Sequence, residues 1–223
     1  MVYGIDQLFE GGARLFYGKS ALVTNEAATT LSGIKSRAAM LDSGISLIKL
    51  FSPEHGLSVK GADGLRQDDS VDQLTKLSVI SLYGDKLAPD YADLKGLDTV
   101  FFDVPDVGCR FYTYLWTMTY VMESCEKAGI KFVVLDRPNP TGLDLSLSEG
   151  PELDETNCSS FIGRWNIPLR HCCTLGELAR YFAATRMPGL NLEVISVWDY
   201  RRNSPFPNLF PFVPTSPAIQ NLE

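Results

Sequence analysis

The sequence predicts an α/β fold built on a mostly parallel sheet with helices on both faces. Three observations carry that prediction. Short apolar runs alternate with stretches of helical spacing, as in a chain that crosses a sheet and returns over its face. With 223 residues, 45% hydrophobic and 21% charged, the chain has enough apolar content for a sizeable core. Nearly every apolar run then ends in a polar or glycine-containing cluster, as expected where strand ends open onto a site.

The runs expected as strands are Ala21 to Thr24, Ile45 to Phe51, Leu77 to Leu82, Thr99 to Phe102, Phe132 to Leu135 and Leu192 to Val197. Between them, Tyr112 to Lys127 places Leu115, Met118, Met122 and Cys125 at helical spacing. Thr174-Leu175-Gly176-Glu177 is a capping-box start, so a helix is expected from there to about Arg186. From about Asn203 the texture changes: Pro205, Pro207, Pro211, Pro214 and Pro217 exclude an ordinary helix or central strand. Residues 1–202 are therefore expected to form the main domain and 203–223 an extended crossing segment.

Composition narrows the function classes. A net charge of −7 argues against a nucleic-acid backbone as partner, because such binding needs a concentrated basic surface. No stretch approaches the roughly 20 apolar residues of a membrane span. The N-terminus lacks the basic, apolar and small-residue succession of an export signal. The compartment is left open between periplasmic or secreted, if such a signal was removed, and cytoplasmic. Five cysteines without a C-x-x-C pair do not describe a disulfide framework, and His171-Cys172-Cys173 has no second cysteine pair at ligand spacing, so no metal is expected. Gly18-Lys19-Ser20 imitates the end of a phosphate-binding loop, but the glycine such a loop needs would fall at Ala13, and the tripeptide precedes a strand. No G-x-G-x-x-G fingerprint follows the first strand, so no nucleotide cofactor is expected.

The clusters after the strands are expected to converge on one sheet edge: Asn25; Ser52-Pro53-Glu54-His55-Gly56; Tyr83-Gly84-Asp85; Asp103 to Tyr114; and Asp136-Arg137-Pro138-Asn139-Pro140. Glu54 is the first candidate for chemistry, since it ends a strand beside one of only two histidines. Pro53 and Gly56 restrict one side of its loop and free the other, and partial burial there favours the protonated form that a general acid requires. Asp103, Asp106, Arg110, Tyr112 and Tyr114 mix donors, acceptors and aromatic faces in one loop, a mixture suited to a sugar.

In order along the chain, Gly4-Ile5-Asp6, Leu50 to Gly56, Ser81 to Gly84, Asp103 with Asp106-Val107-Gly108, Arg110 to Tyr114, Leu135 to Pro140, Glu149-Gly150-Pro151, Ser160 to Gly163, Ile167-Pro168, Arg170-His171 and Thr174 to Ala179 resemble the NamZ-type exo-β-N-acetylmuramidases, also catalogued as YbbC-like proteins. The chain departs from the family pattern at Pro105, Cys172 and 216–220. The resemblance implies a Rossmann-like three-layer catalytic domain and a smaller C-terminal domain, toward which 203–223 would lead and which this chain lacks or carries truncated. It also implies removal of non-reducing terminal N-acetylmuramic acid from peptidoglycan fragments, with Glu54 as catalytic acid/base.

For the second catalytic role Asp103, Asp106 and Asp136 are candidates. His55, Asn25, Arg110, Tyr112, Tyr114, Asp136, Arg137 and Asn139 are the candidates for holding the sugar, with Arg110 or Arg137 facing its lactyl carboxylate. The alternative expectation is a carbohydrate-binding domain of the same ancestry that performs no turnover. Oligomeric state is not predicted.

Overall fold

A computed structural model describes residues 1–10, 17–202 and 213–218. Most of the proline-rich stretch expected from Asn203, and position 13 of the discounted phosphate loop, lie outside them.

Seven strands form one sheet: β1 (Ser20–Thr24), β2 (Leu47–Ser52), β3 (Ser70–Val71), β4 (Ser78–Ser81), β5 (Thr99–Asp103), β6 (Lys131–Leu135) and β7 (Leu192–Ile195), in the order β3-β4-β2-β1-β5-β6-β7. All neighbours pair in parallel except β3 and β4. The six expected strands are present. The seventh, β3, was not expected, because two exposed residues carry no periodicity. Without β3 the parallel strands run third, second, first, fourth, fifth, sixth, the doubly wound order in which ligands bind where the succession reverses. Here that point lies at the carboxyl ends of β1 and β5.

Side-chain alternation explains the three layers. Ala21, Val23, Val100, Phe102, Phe132 and Val134 pack in one core cluster, under α4 (Thr113–Ala128) and α6 (Leu175–Arg186). Leu22, Phe101, Val133 and Leu135 point to the opposite cluster, with Ile5 and Leu8 of α1 (Gly4–Glu10) and Met40 of α2 (Ser36–Asp42). A strand buried on both faces must read as a continuous apolar run, which is why these strands were visible in the sequence. The short helices α3 (Tyr91–Leu94) and α5 (Glu155–Cys158) and a 3-10 turn at Leu145–Leu147 complete the described elements.

Helix boundaries follow from caps. Gly129 ends α4 in the left-handed conformation, φ 67°, and its N–H bonds back to the final turn. Thr174 and Glu177 form the expected reciprocal capping box at the start of α6. Gly176 lets this helix approach the sheet, since a Cβ there would stand 2.6 Å from both Asp136 Cγ and Val194 Cγ1.

Candidate active site

Beyond β2 the chain turns sharply. His55 and Gly56 take left-handed φ angles of 68° and 71°, a conformation costly for histidine and concentrated at functional sites. The turn holds Glu54 only 8% exposed. Its Oε2 accepts a hydrogen bond from Thr113 Oγ1 at 2.8 Å, in the first turn of α4, and its Oε1 accepts from the Gly64 N–H at 3.1 Å. Tyr83 stands near this carboxylate; burial first, then its interaction with Glu54, push the phenol up to about 12. Two donors thus fix the direction of one carboxyl group.

His55 Nδ1 lies 2.8 Å from the Gly61 carbonyl oxygen. A carbonyl only accepts, so Nδ1 carries the hydrogen, and in the neutral ring Nε2 is the acceptor available to a ligand. Asp63 Oδ1 stands 3.8 Å from Nδ1 on the solvent side.

Above these residues opens a cleft of about 490 Å³, lined by Glu54, His55, Asp63, Tyr112, Thr113, Val107, Cys109, Ser216 and Ala218, with Phe111 and Ile162 at its rim. Phe111 and Ile162 are 52% and 60% exposed, which offers apolar surface to the C–H face of a sugar. Tyr112 and Tyr114 cross edge to face, with centroids 4.8 Å apart, and hold the segment 213–218 against the cleft. Tyr112 donates to Thr215 Oγ1 at 2.7 Å and Tyr114 donates to the Thr215 carbonyl, while Asn25 at the end of β1 accepts from the Ala27 N–H at 3.0 Å. Burial drives both phenols up, so they stay neutral donors. Tyr114 and Asn25 are fully buried and shape the wall without lining it.

Six expected site residues have partners within the fold, and the reason in each case is hydrogen bonding that no sequence pattern encodes. Asp103 is 0% exposed and bound in two prongs by Arg137, Nε to Oδ1 at 2.5 Å and Nη2 to Oδ2 at 3.0 Å. Arg137 also donates to the Thr29 carbonyl at 2.7 Å and lies over the Tyr3 ring. The pair is therefore a buried ion pair at the switch point, each partner held by the other. Arg110 sends Nη1 to the Pro151 and Ile167 carbonyls, both at 2.6 Å, and staples the 149–170 segment rather than facing a ligand. Asn139 accepts from Thr141 and donates to the Cys173 carbonyl at 2.9 Å, closing its own loop. Asp106 accepts from the Gly108 N–H at 2.9 Å and stands 3.5 Å from His171 Nε2, turned from the Glu54 cleft.

Asp136, the sixth, anchors α6. It accepts from Thr174 Oγ1 at 2.7 Å and from the Gly176 and Arg137 N–H groups at 2.8 and 3.0 Å. Burial pushes its carboxyl from 3.8 up to about 6, against the pull of those bonds. A group raised on folding contributes stability that is present below its unfolded value and lost as pH rises through its folded value. Between pH 4 and 7 this residue is expected to cost about 3 kcal/mol of folding stability. Asp136→Asn keeps an acceptor for both N–H groups, so the difference between variant and parent in urea unfolding should grow in the variant's favour from pH 4 to 7. A pH-independent difference would place the titration on another group.

Residues that sequence reasoning did not select are Thr113, Gly64, Asp63 and the strap at Thr215 and Ser216. The glycines at 56, 61 and 64 were a usable signal for Gly64 and Asp63, since they mark a loop folding back over Glu54. Nothing local marks Thr215, which lies about a hundred residues from its partners. Among the described residues no cluster of three His, Cys, Asp or Glu could hold a metal ion, and no helix is long and apolar enough to cross a membrane.

Comparison with known proteins places this geometry in a lineage. The chain is similar to the peptidoglycan β-N-acetylmuramidase NamZ of Bacillus subtilis strain 168, with 39% identity over 224 residues, covering 99% of this chain and 53% of that protein. Two crystal structures of DUF1343 family proteins from Bacteroides fragilis superpose with TM-scores of 0.86 and 0.82 at 30% and 28% identity, covering 98% and 99% of this chain and 56% and 57% of theirs. The chain spans about half the length of these relatives. The family model described as exo-β-N-acetylmuramidase NamZ, N-terminal, matches residues 20–223. By the match over nearly its whole length and the shared doubly wound fold, the chain belongs to the NamZ N-terminal family.

Proposed function

We propose that this chain carries the acid/base centre of an exo-β-N-acetylmuramidase acting on non-reducing terminal β-N-acetylmuramic acid in peptidoglycan fragments. The observation that carries the reading is Glu54, a buried carboxyl group held by Thr113 and Gly64 at the floor of its cleft. In its protonated form Glu54 gives a proton to the glycosidic oxygen as the bond to the anomeric carbon breaks.

The oxocarbenium-like centre then needs an electron pair. Asp103, Asp106 and Asp136 are held by other partners, and Asp63, the other acid lining the cleft among the described residues, is 77% exposed at its side chain. That leaves the acetamido oxygen of the substrate itself as the nucleophile this reading favours. Water opens the resulting oxazolinium ring, returns a proton to Glu54 and retains the β configuration.

Incubation with a chromogenic β-N-acetylmuramide tests the reading. Release of the chromophore and free N-acetylmuramic acid is expected, together with collapse of turnover when a hydroxyl replaces the 2-acetamido group. Calorimetric binding without release would instead support a sugar-binding domain that performs no turnover.

A further inference from the structure

The Glu54 cleft adjoins a second one. An open depression of about 730 Å³ is lined by Cys109, Pro140, Thr141, Glu149, Gly150, Leu169 and Arg170. Cys109 lines both clefts, so the two meet at its side chain. Cys109 and Arg170 are paired across an antiparallel bridge, which puts their side chains on the same face as neighbours. The positive charge of Arg170 is felt at the Cys109 thiol, where it opposes the upward push of burial and of Asp106.

The wall is built to hold Arg170 still. Its N–H and carbonyl both pair with Glu149, at 3.0 and 3.3 Å, and Ser148 Oγ donates to the same carbonyl at 3.0 Å. Gly150 takes φ 86°, and a Cβ there would fall 2.5 Å from Leu169 Cβ, so the chain passes too close for a side chain. Yet the guanidinium is incompletely used. Nη2 donates to the Thr141 carbonyl at 2.6 Å, while Nη1 stands 3.7 Å from Glu149 Oε1, beyond hydrogen-bond distance and on a side chain 71% exposed, and the exposed Asp144 also feels the guanidinium charge. Nε has no hydrogen-bond partner among the described residues. By contrast, Arg137 is taken by Asp103, and Arg110 Nη1 by two carbonyls.

A terminal N-acetylmuramic acid presents one anion, the carboxylate of the lactyl ether on O3, two ring carbons from the reacting C1 and beside the acetamido group on C2. With C1 at Glu54, a ring lying past Cys109 carries that group into the second cleft. We propose that the second cleft receives the free lactyl carboxylate, with Arg170 as its counter-ion and the residue that distinguishes N-acetylmuramic acid from N-acetylglucosamine. The assignment rests on the glycosidase reading for the placement of C1. Charge-assisted bonds from Nη1 would replace the long contact to Glu149. A lactyl group amidated by a peptide carries no such charge at that carbon, so peptide-free sugars are favoured.

Binding measured without turnover separates this proposal from the catalytic one. In Glu54→Gln chain, calorimetry with N-acetylmuramic acid, its lactyl amide and N-acetylglucosamine should show the free acid tightest by about 10- to 100-fold, as hydrogen bonds to a charged group allow. Arg170→Gln, which removes the charge, should remove that preference while leaving N-acetylglucosamine affinity unchanged. Arg170→Lys should restore part of it, which a purely structural role would not. In the unsubstituted chain, N-acetylmuramic acid should also slow thiol labelling of Cys109 but not of exposed Cys158, read by mass spectrometry. Equal affinity for acid and amide, an Arg170→Gln chain that keeps the preference, or unprotected Cys109 would each overturn the proposal. So would failure to bind any of the three sugars. Loss of turnover with the preference intact would overturn only the catalytic reading.

Discussion

Replacing Glu54 by glutamine is expected to lower kcat on a chromogenic β-N-acetylmuramide by about 10²- to 10⁴-fold, the usual contribution of a positioned general acid. Shape does not account for such a loss. Glutamine keeps an oxygen for the Gly64 N–H, and its amide can donate to Thr113 Oγ1, which has lone pairs to accept it. Stability should therefore change by less than about 1 kcal/mol, and KM should move little. The defect should depend on the aglycone. A dinitrophenolate leaves without a proton, so its departure step should lose much less than that of a poorly leaving sugar alcohol. Equal losses across leaving groups would show that Glu54 does not protonate the departing oxygen, and unaltered turnover would remove it from the chemistry.

How far this site was legible depends on what kind of information each residue carries. Glu54 was identifiable because a strand buried on both faces announces itself as an apolar run, and the residue just past its carboxyl end is placed by topology alone. The same reasoning placed Asp103, Asp136 and Arg137 near that edge, and they are there. Whether a polar side chain at a strand end serves a ligand or the fold is decided by its partners. Asp136 turns back to the N-terminus of α6, and Arg137 reaches over to β5. Both choices rest on side-chain directions and on backbone groups contributed by distant segments, which periodicity does not encode.

The helix caps at Thr174 and Gly129 were readable, or became so in retrospect, because capping is local. The strap at Thr215 was not, because its two tyrosine partners lie in the loop and helix after β5. The edge strand β3 was missed for another reason: two exposed residues paired antiparallel to β4 bury nothing and leave no pattern.

Asp103→Asn is expected to destabilise the fold by about 3–5 kcal/mol, the cost of leaving a buried cation without its counter-ion. The carboxylate is 0% exposed, and the Arg137 side chain is 9% exposed. Burial alone would favour the neutral form of Arg137, and the charge and hydrogen bonds of Asp103, together with Tyr3 and Asp6, more than reverse that. Asparagine preserves the volume but offers a donor where the guanidinium needs an acceptor, leaving the Thr29 carbonyl and Ser36 Oγ as its remaining partners there. Because the pair is shielded from solvent, the loss in urea unfolding should persist between 0.1 and 1 M salt, where a surface pair would fade. Adding Arg137→Met should recover part of it, since two neutral residues leave no stranded charge, and the double-mutant cycle measures the coupling directly. The same variant separates structure from catalysis at the switch point. Kcat per folded molecule should stay near the parental value while the unfolding midpoint falls. A variant with parental stability and no turnover would return Asp103 to the reacting centre and make Arg137 its positioning partner.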